Sequence, residues 1–263
     1  MNLQLKEKKA FISGSTQGIG FSIAKQLLQE GTSVIINGRS KEKTEWAVKK
    51  LQQEFPDAEI LGIAADFAKR EDIIRLSEEL SDIDILINNV GIFGVNDFYE
   101  ILDEDWYHYF EINVMSGMRL SRKLLPGMIK KNAGRIIFIS SESGVNVPEN
   151  MIHYGMTKAA MSALSNGLSK LTKGTAVTVN TILGGPTYSD GVATTVEQIA
   201  EGQNLTVDQM KDIIIKNSNP HILLQRFINP EEIASLAVYL SSPLSIAVNG
   251  ASLRADSGVL KII

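Results

Sequence analysis

The chain contains no cysteine. Disulfides, thiolate nucleophiles and cysteine-ligated zinc are therefore excluded, and a reducing compartment is compatible with the composition. Histidine is scarce: His108, His153 and His221 are scattered without metal-ligand spacing, so no metal site is expected. No run of 18 apolar residues occurs, which predicts no membrane-spanning helix. Residues 1–9 carry charge without the apolar core of a signal peptide. With 26 basic against 30 acidic residues and a net charge of −4, neither a nucleic-acid-binding surface nor a basic membrane anchor is expected. A soluble, cytoplasmic protein is the working class. The 263 residues, 44% hydrophobic and 21% charged, can bury a full core without staples.

Short apolar runs recur at 9–13, 33–37, 60–64, 83–87, 135–139 and 176–180, with a further short one near 251–254. Runs that are apolar on both faces suit the middle of a parallel sheet covered by helices. Helical stretches with start signals lie between them. Ser40 can cap a helix through Leu51, and Asp103 can cap one that begins at Glu104 and runs towards Lys130. Asn229-Pro230-Glu231-Glu232 offers an N-cap, a proline at the first helical position and a glutamate two residues later. Strand then helix, repeated, predicts a single-domain α/β fold over 1–263. Its core is a doubly wound (Rossmann) sheet of about seven parallel strands with helices on both faces. The longest interruption, about 184–229, has a capping box at Thr206–Gln209, followed by Met210, Ile213 and Ile214 at helical spacing. It reads as a helical lid over a mostly apolar substrate pocket, hinged at Gly184-Gly185.

The first run leads into Gly14-Ser15-Thr16-Gln17-Gly18-Ile19-Gly20 and then a helix. Such a turn lets backbone approach a pyrophosphate, which sits at the positive helix N-terminus. The second run ends Asn37-Gly38-Arg39, with no carboxylate to receive a ribose 2′-hydroxyl. Arg39 can pair instead with a 2′-phosphate. Tyr154 and Lys158 stand four apart on an expected helix and share a face. An ammonium near a phenol stabilises the phenolate and lowers the tyrosine pKa. His153, next in sequence to Tyr154, points elsewhere around the helix and reads as a packing residue. Upstream, a strand ends at Ser140-Ser141, on the edge where ligands bind in this architecture.

Together, Gly14-x3-Gly18-x-Gly20, Asn88-Asn89-Val90-Gly91, Asn113, Ser141, Tyr154-x3-Lys158, Asn180 and Asp256-Ser257-Gly258 resemble the single-domain branch of the short-chain dehydrogenase/reductase family. The resemblance implies that Gly14, Ser15, Gln17, Ile19 and Gly20 line the pyrophosphate and ribose of a nicotinamide dinucleotide, with Gly18 in the same turn. It implies that Asp66 meets the adenine, that Asn88 and Gly91 flank its ribose, and that Thr187 touches the nicotinamide amide. Tyr154 would be the general acid/base, Ser141 the donor to the substrate oxygen, and Lys158 the group that lowers the Tyr154 pKa and holds the nicotinamide ribose. Asn113 would kink its helix and order a water of a proton relay. Departures from the family pattern are Val90 for alanine, Ser13 for threonine, Gly184 for proline and Ser257 for glycine. The implied activity interconverts a carbonyl and a secondary alcohol on a small-molecule substrate, with NADP(H) preferred and NAD(H) possible, in a homotetramer. The alternatives are a 3-oxoacyl-thioester reductase and a non-enzymatic NADP(H)-binding sensor.

Overall fold

A computed structural model describes residues 1–261. The apolar runs form strands β1 (Lys9–Ile12), β2 (Ser33–Gly38), β3 (Ile60–Ala64), β4 (Ile85–Asn88), β5 (Gly134–Ser141), β6 (Val177–Gly184) and β7 (Ser252–Ala255). They make one sheet in the order β3-β2-β1-β4-β5-β6-β7, and every adjacent pair is parallel. The doubly wound α/β fold expected from the sequence is the fold observed. β4, β5 and β6 are buried at every position; β4 and the middle of β5 are apolar runs without alternation, whereas β6 carries buried Thr178, Asn180 and Thr181 among its apolar residues. Strand order reverses between β1 and β4, opening a crevice at the carboxyl edge of the sheet.

Helices cover both faces. On one lie α1 (Gly18–Gln29), α2 (Lys41–Glu54) and α9 (Pro230–Ser241), burying Ile23, Leu27, Leu51 and Ile233 among others. On the other lie α3 (Arg70–Glu79), α5 (Ser116–Lys131) and α6 (Ile152–Lys170), whose Leu76, Leu120 and Met161 pack with Phe11 and Phe138 of the sheet. α4 (Asp103–Phe110) runs through a π-helical turn, Glu111–Met115, directly into α5. Ser40 and Asn229 cap α2 and α9 as expected. Asp103 does not cap α4. Leu102 holds the N-cap position, and Asp103, Glu104 and Asp105 fill the first turn, where their charge favours the helix dipole. Among the described residues no helix is long and apolar enough to cross a membrane.

The interruption after β6 folds as α7 (Asp190–Gly202) and α8 (Val207–Ser218), the latter opened by the Thr206–Gln209 capping box. Two features differ from the sequence reading. Met210 is not laid over a pocket: it is buried with Val196 and Ala200 in a small core between α7 and α8, and Ile213 is exposed. The two helices satisfy their apolar faces on each other. Nor is the glycine pair a hinge. Gly184 is the last residue of β6, paired with Ser141 on one side and Ala255 on the other. The amide of Gly185 donates to the Ala255 carbonyl at 3.1 Å. A Cβ on Gly185 would stand 2.8 Å from Asp256 Cα and 2.9 Å from its carbonyl oxygen, so glycine is required there for close approach.

Gly185→Ala should therefore destabilise the protein by roughly 1–3 kcal/mol, the range for overpacking a tight site. Gly184→Ala, whose Cβ meets only ordinary contacts at 3.7 Å, should change stability by less than about 0.5 kcal/mol. Denaturant melts of the two variants would separate close packing from hinge motion, since a hinge would be sensitive at both positions.

Candidate active site

The glycine turn sits at the amino end of α1. Gly14 and Gly18 have φ of +61° and +59°, in the left-handed region that only glycine enters readily. A Cβ on Gly20 would lie 2.5 Å from Asn89 Nδ2 and 2.6 Å from the Gly14 carbonyl oxygen. Polar side chains at neighbouring strand ends hold the turn in place. Asn37 Oδ1 accepts from the Gly14 amide at 3.0 Å, and Asn89 Nδ2 donates to the carbonyls of Ser13 and Gly14 at 3.0 and 2.8 Å. Ser15 is fully buried; its hydroxyl donates to the Ile12 carbonyl and accepts from the Asn37 amide. Its side chain thus braces the turn from behind and does not face the crevice. Gln17, at the N-cap position, provides no side-chain cap, so the first amides of α1 are left to another partner. One of them has found an anion: the amide of Gly18 donates to Asp190 Oδ2, from the start of α7, at 2.6 Å. An uncapped helix start, a cradle that excludes side chains and a carboxylate already attracted there fit the phosphates of a dinucleotide.

Around this turn the other strand ends line up. Arg39 is exposed directly after β2. Asp66 follows β3, its Oδ1 accepting from the Ala68 amide at 3.0 Å. Asn88, at the end of β4, is buried and turned towards α5; its amide donates to Ser121 Oγ at 3.3 Å, so its side chain faces the core. Gly91 lies where a Cβ would stand 3.4 Å from both Asn113 Oδ1 and Lys158 Nζ. Half-buried Ile19, in the first turn of α1, packs against the core on that face of the sheet. The Thr187 hydroxyl donates back to the Gly185 carbonyl at 2.9 Å, within the loop that follows β6.

Asn113 stands in the π-helical turn. Its Oδ1 accepts from the Ile92 amide at 2.8 Å, and its Nδ2 donates to the Ile92 carbonyl and to Thr157 Oγ1. The extra backbone residue of the π turn lets one side chain bind the β4 loop and α6 together. Ser140 Oγ donates to the Lys158 carbonyl at 2.8 Å, fastening the end of β5 to the middle of α6. Lys158 is buried; Nζ donates to the Ile139 carbonyl at 3.0 Å and lies 5.6 Å from the centre of the Tyr154 ring. Burial holds its pKa down to about 8, against a partial opposing pull from Glu142. The Tyr154 phenol is raised well above its ordinary value, first by burial and then by the charges of Glu142 and Tyr109, with the Ser141 hydroxyl acting in the opposite sense. The sequence reading had Lys158 lowering the Tyr154 pKa. In this arrangement desolvation dominates, and the ammonium is turned to a backbone carbonyl.

Two residues escaped the sequence reading besides Asn37 and Asn89. Asp190 follows an unremarkable loop, and nothing local reveals that it reaches the glycine turn. Glu142 accepts hydrogen bonds from the hydroxyls of Ser141 and Ser143, and burial raises its pKa. A carboxylate directly after the strand-end serine was a readable signal. His153 is fully buried against the Tyr109 and Trp106 rings, as a packing residue would be. Trp46 is 57% exposed, with Lys50 Nζ 5.1 Å from its ring. The cleft beside Glu142 has a volume of about 330 Å³ and is lined mainly by polar groups, among them Asn146, Asn150, Ser218 and Asn219. Among the described residues no group of three or more potential ligands could hold a metal ion.

Residues 8–200 match the family model for short chain dehydrogenase. The uncharacterized oxidoreductase YvaG of Bacillus subtilis (strain 168) is 42% identical over 263 residues, covering all of both chains. D-beta-hydroxybutyrate dehydrogenase of Cupriavidus necator is 31% identical over 97% of this chain and 98% of its own. Among solved structures, L-sorbose reductase from Gluconobacter frateurii, complexed with NADPH and L-sorbose, superposes with a TM-score of 0.94 at 28% identity, covering all of both chains. The chain belongs to the short-chain dehydrogenase family and is an oxidoreductase.

Keeping Lys158 buried costs stability. A base whose folded pKa is lowered binds fewer protons folded than unfolded, so the cost is full below pH about 8 and is relieved as pH rises towards lysine's ordinary 10.5. Lys158→Met should stabilise the protein at pH 7 by roughly 1–3 kcal/mol after allowing for the lost hydrogen bond to Ile139. The advantage should shrink by pH 10. Thermal melts at the two pH values check both the sign and the trend.

Proposed function

We propose that the protein reduces a small carbonyl compound to a secondary alcohol, and catalyses the reverse oxidation, with NADP(H) as its preferred partner and NAD(H) as a possible one. The observation that carries this reading is the convergence of Ser141, Tyr154 and Lys158, fastened by the Ser140–Lys158 hydrogen bond between β5 and α6. When bound, a nicotinamide dinucleotide supplies the hydride or takes it back. The amides at the start of α1, with Gly14, Gly18 and Gly20 around them, would hold its phosphates. Arg39 would pair with a 2′-phosphate, and Lys158 would face its sugar. In reduction, Ser141 donates its hydroxyl to the carbonyl oxygen as negative charge grows there. Tyr154 gives that oxygen its proton, and Lys158 would stabilise the phenolate left behind once its ammonium turns from the Ile139 carbonyl towards the ring. Asn113, already shared between the β4 loop and α6, holds the end of the path by which Tyr154 regains its proton.

The NADPH of the L-sorbose reductase structure supports the choice of cofactor, and its sorbose supports a small polar substrate over a carrier-bound thioester. The polar cleft beside Glu142 points the same way. An intact proton donor argues against a sensor without activity. The cysteine-free composition fits the cytoplasm. Exposed Leu102, Tyr107 and Phe110 on and before α4 are apolar surface that a neighbouring copy would cover, in keeping with a homotetramer.

Tyr154→Phe should lower turnover of NADPH with a ketone by roughly two to four orders of magnitude while leaving NADPH affinity nearly unchanged. Steady-state kinetics with a fluorescence titration of NADPH would decide it, and near-normal turnover would sink the assignment.

Dinucleotide titrations test the charges at the phosphate site. Asp190→Asn removes a carboxylate that competes for the Gly18 amide, and should tighten NADPH and NADH alike by about threefold to tenfold. Arg39→Asp should weaken NADPH selectively.

Light scattering at micromolar concentration should give a mass near four times 28.8 kDa. Tyr107→Glu should reduce it; a wild-type monomer would refute the assembly.

A further inference from the structure

The carboxylate of Glu142 is out of place for the reaction just described. Negative charge grows on the substrate oxygen beside Ser141, and a second negative charge next to it opposes that change. Moreover, a serine hydroxyl has one proton to donate. In this structure Ser141 directs it to Glu142 Oε2 and accepts from the Ser143 amide at 3.1 Å. Ser143 Oγ donates to Glu142 Oε1 at 3.2 Å. While that arrangement stands, Ser141 cannot donate to a carbonyl. Glu142 also borders the polar cleft with Asn146, Asn150, Ser218 and Asn219, so its carboxylate is reachable from that cleft.

We infer that Glu142 is a specificity residue that accepts a hydrogen bond from a hydroxyl on the carbon next to the substrate carbonyl, and so selects hydroxyketones over plain ketones. The exchange balances: the substrate hydroxyl donates to Glu142 Oε2, the Ser141 proton leaves that oxygen, and the same Ser141 proton is donated to the carbonyl. No covalent bond changes. A plain ketone offers no replacement donor, so it must break the Ser141–Glu142 bond and leave a half-buried carboxylate short of a partner. The remaining amide and hydroxyl groups of the cleft are donors and acceptors for further hydroxyls of a polyhydroxylated substrate.

This inference rests on the proposed carbonyl reduction, and its test separates the two. Initial rates of NADPH oxidation are measured on matched short-chain ketones, each with and without a hydroxyl beside the carbonyl, for the wild type, Glu142→Gln and Glu142→Val. The readout is the ratio of kcat/KM within each pair, which a general loss of folded enzyme does not move. The wild type should prefer the hydroxyketone by at least about tenfold, the scale of one hydrogen bond to a charged group. The ratio should fall to about twofold or less in Glu142→Val and to an intermediate value in Glu142→Gln, whose neutral amide oxygen accepts more weakly. Equal use of both members of each pair by the wild type, or a ratio unchanged in both variants, overturns the role of Glu142 and leaves carbonyl reduction standing. No oxidation of NADPH with any pair, although NADPH binds, overturns carbonyl reduction and the role of Glu142 with it.

Discussion

A parallel sheet brings the carboxyl ends of all its strands to one edge, and the chemistry of this chain depends on that constraint. β1 ends at the glycine turn, β2 at Arg39, β4 at Asn88 to Gly91, β5 at Ser141 and β6 at the loop to Thr187. Strand ends leave amides and carbonyls that no ladder satisfies, and the buried polar side chains of this edge answer them. Asn37 ties β2 to the Gly14 amide, Asn89 ties β4 to the Ser13 and Gly14 carbonyls, and Ser140 ties β5 to α6. These bonds are structural, yet they set where the crevice opens and which side chains face it.

The same burial that orders the edge makes it electrostatically tense. Lys158 is pushed down, and Tyr154 and Glu142 are pushed up, each away from its charged form, and desolvation is the first cause in all three. Such groups respond strongly to whatever is brought next to them, because little solvent screens the change. A ligand that adds donors and charge at this edge therefore reorganises hydrogen bonds that already exist. Asp190 at the Gly18 amide and Glu142 at the Ser141 hydroxyl are both carboxylates that already accept a hydrogen bond at this edge.

Much of this was legible in the sequence. The central strands were readable because strands buried on both faces are rich in apolar residues, and the glycine turn because Gly14 and Gly18 take a positive φ that glycine adopts most readily. Helical spacing put Tyr154 and Lys158 on one face, and the family resemblance supplied their roles. What was not legible is long-range. Asp190 lies far along the chain from Gly18, and nothing in its neighbourhood marks the contact. Met210 has the periodicity of a helix face but not the identity of the surface it meets, so a small core between α7 and α8 was read as a cover over a pocket. The Gly184-Gly185 pair was read as freedom, whereas one residue belongs to a strand and the other permits contact with Asp256. Local sequence carries local conformation; which faces come together is decided by the rest of the chain.

Transfer of isotope tests the central claim, that this site moves a hydride to a carbonyl carbon, most directly. Incubation of the protein with NADPH deuterated at the transferring position of the nicotinamide and with a hydroxyketone should give an alcohol carrying one deuterium on the carbon that was the carbonyl, read by mass spectrometry. An unlabelled alcohol, or oxidation of the nicotinamide with no alcohol formed, would contradict the account.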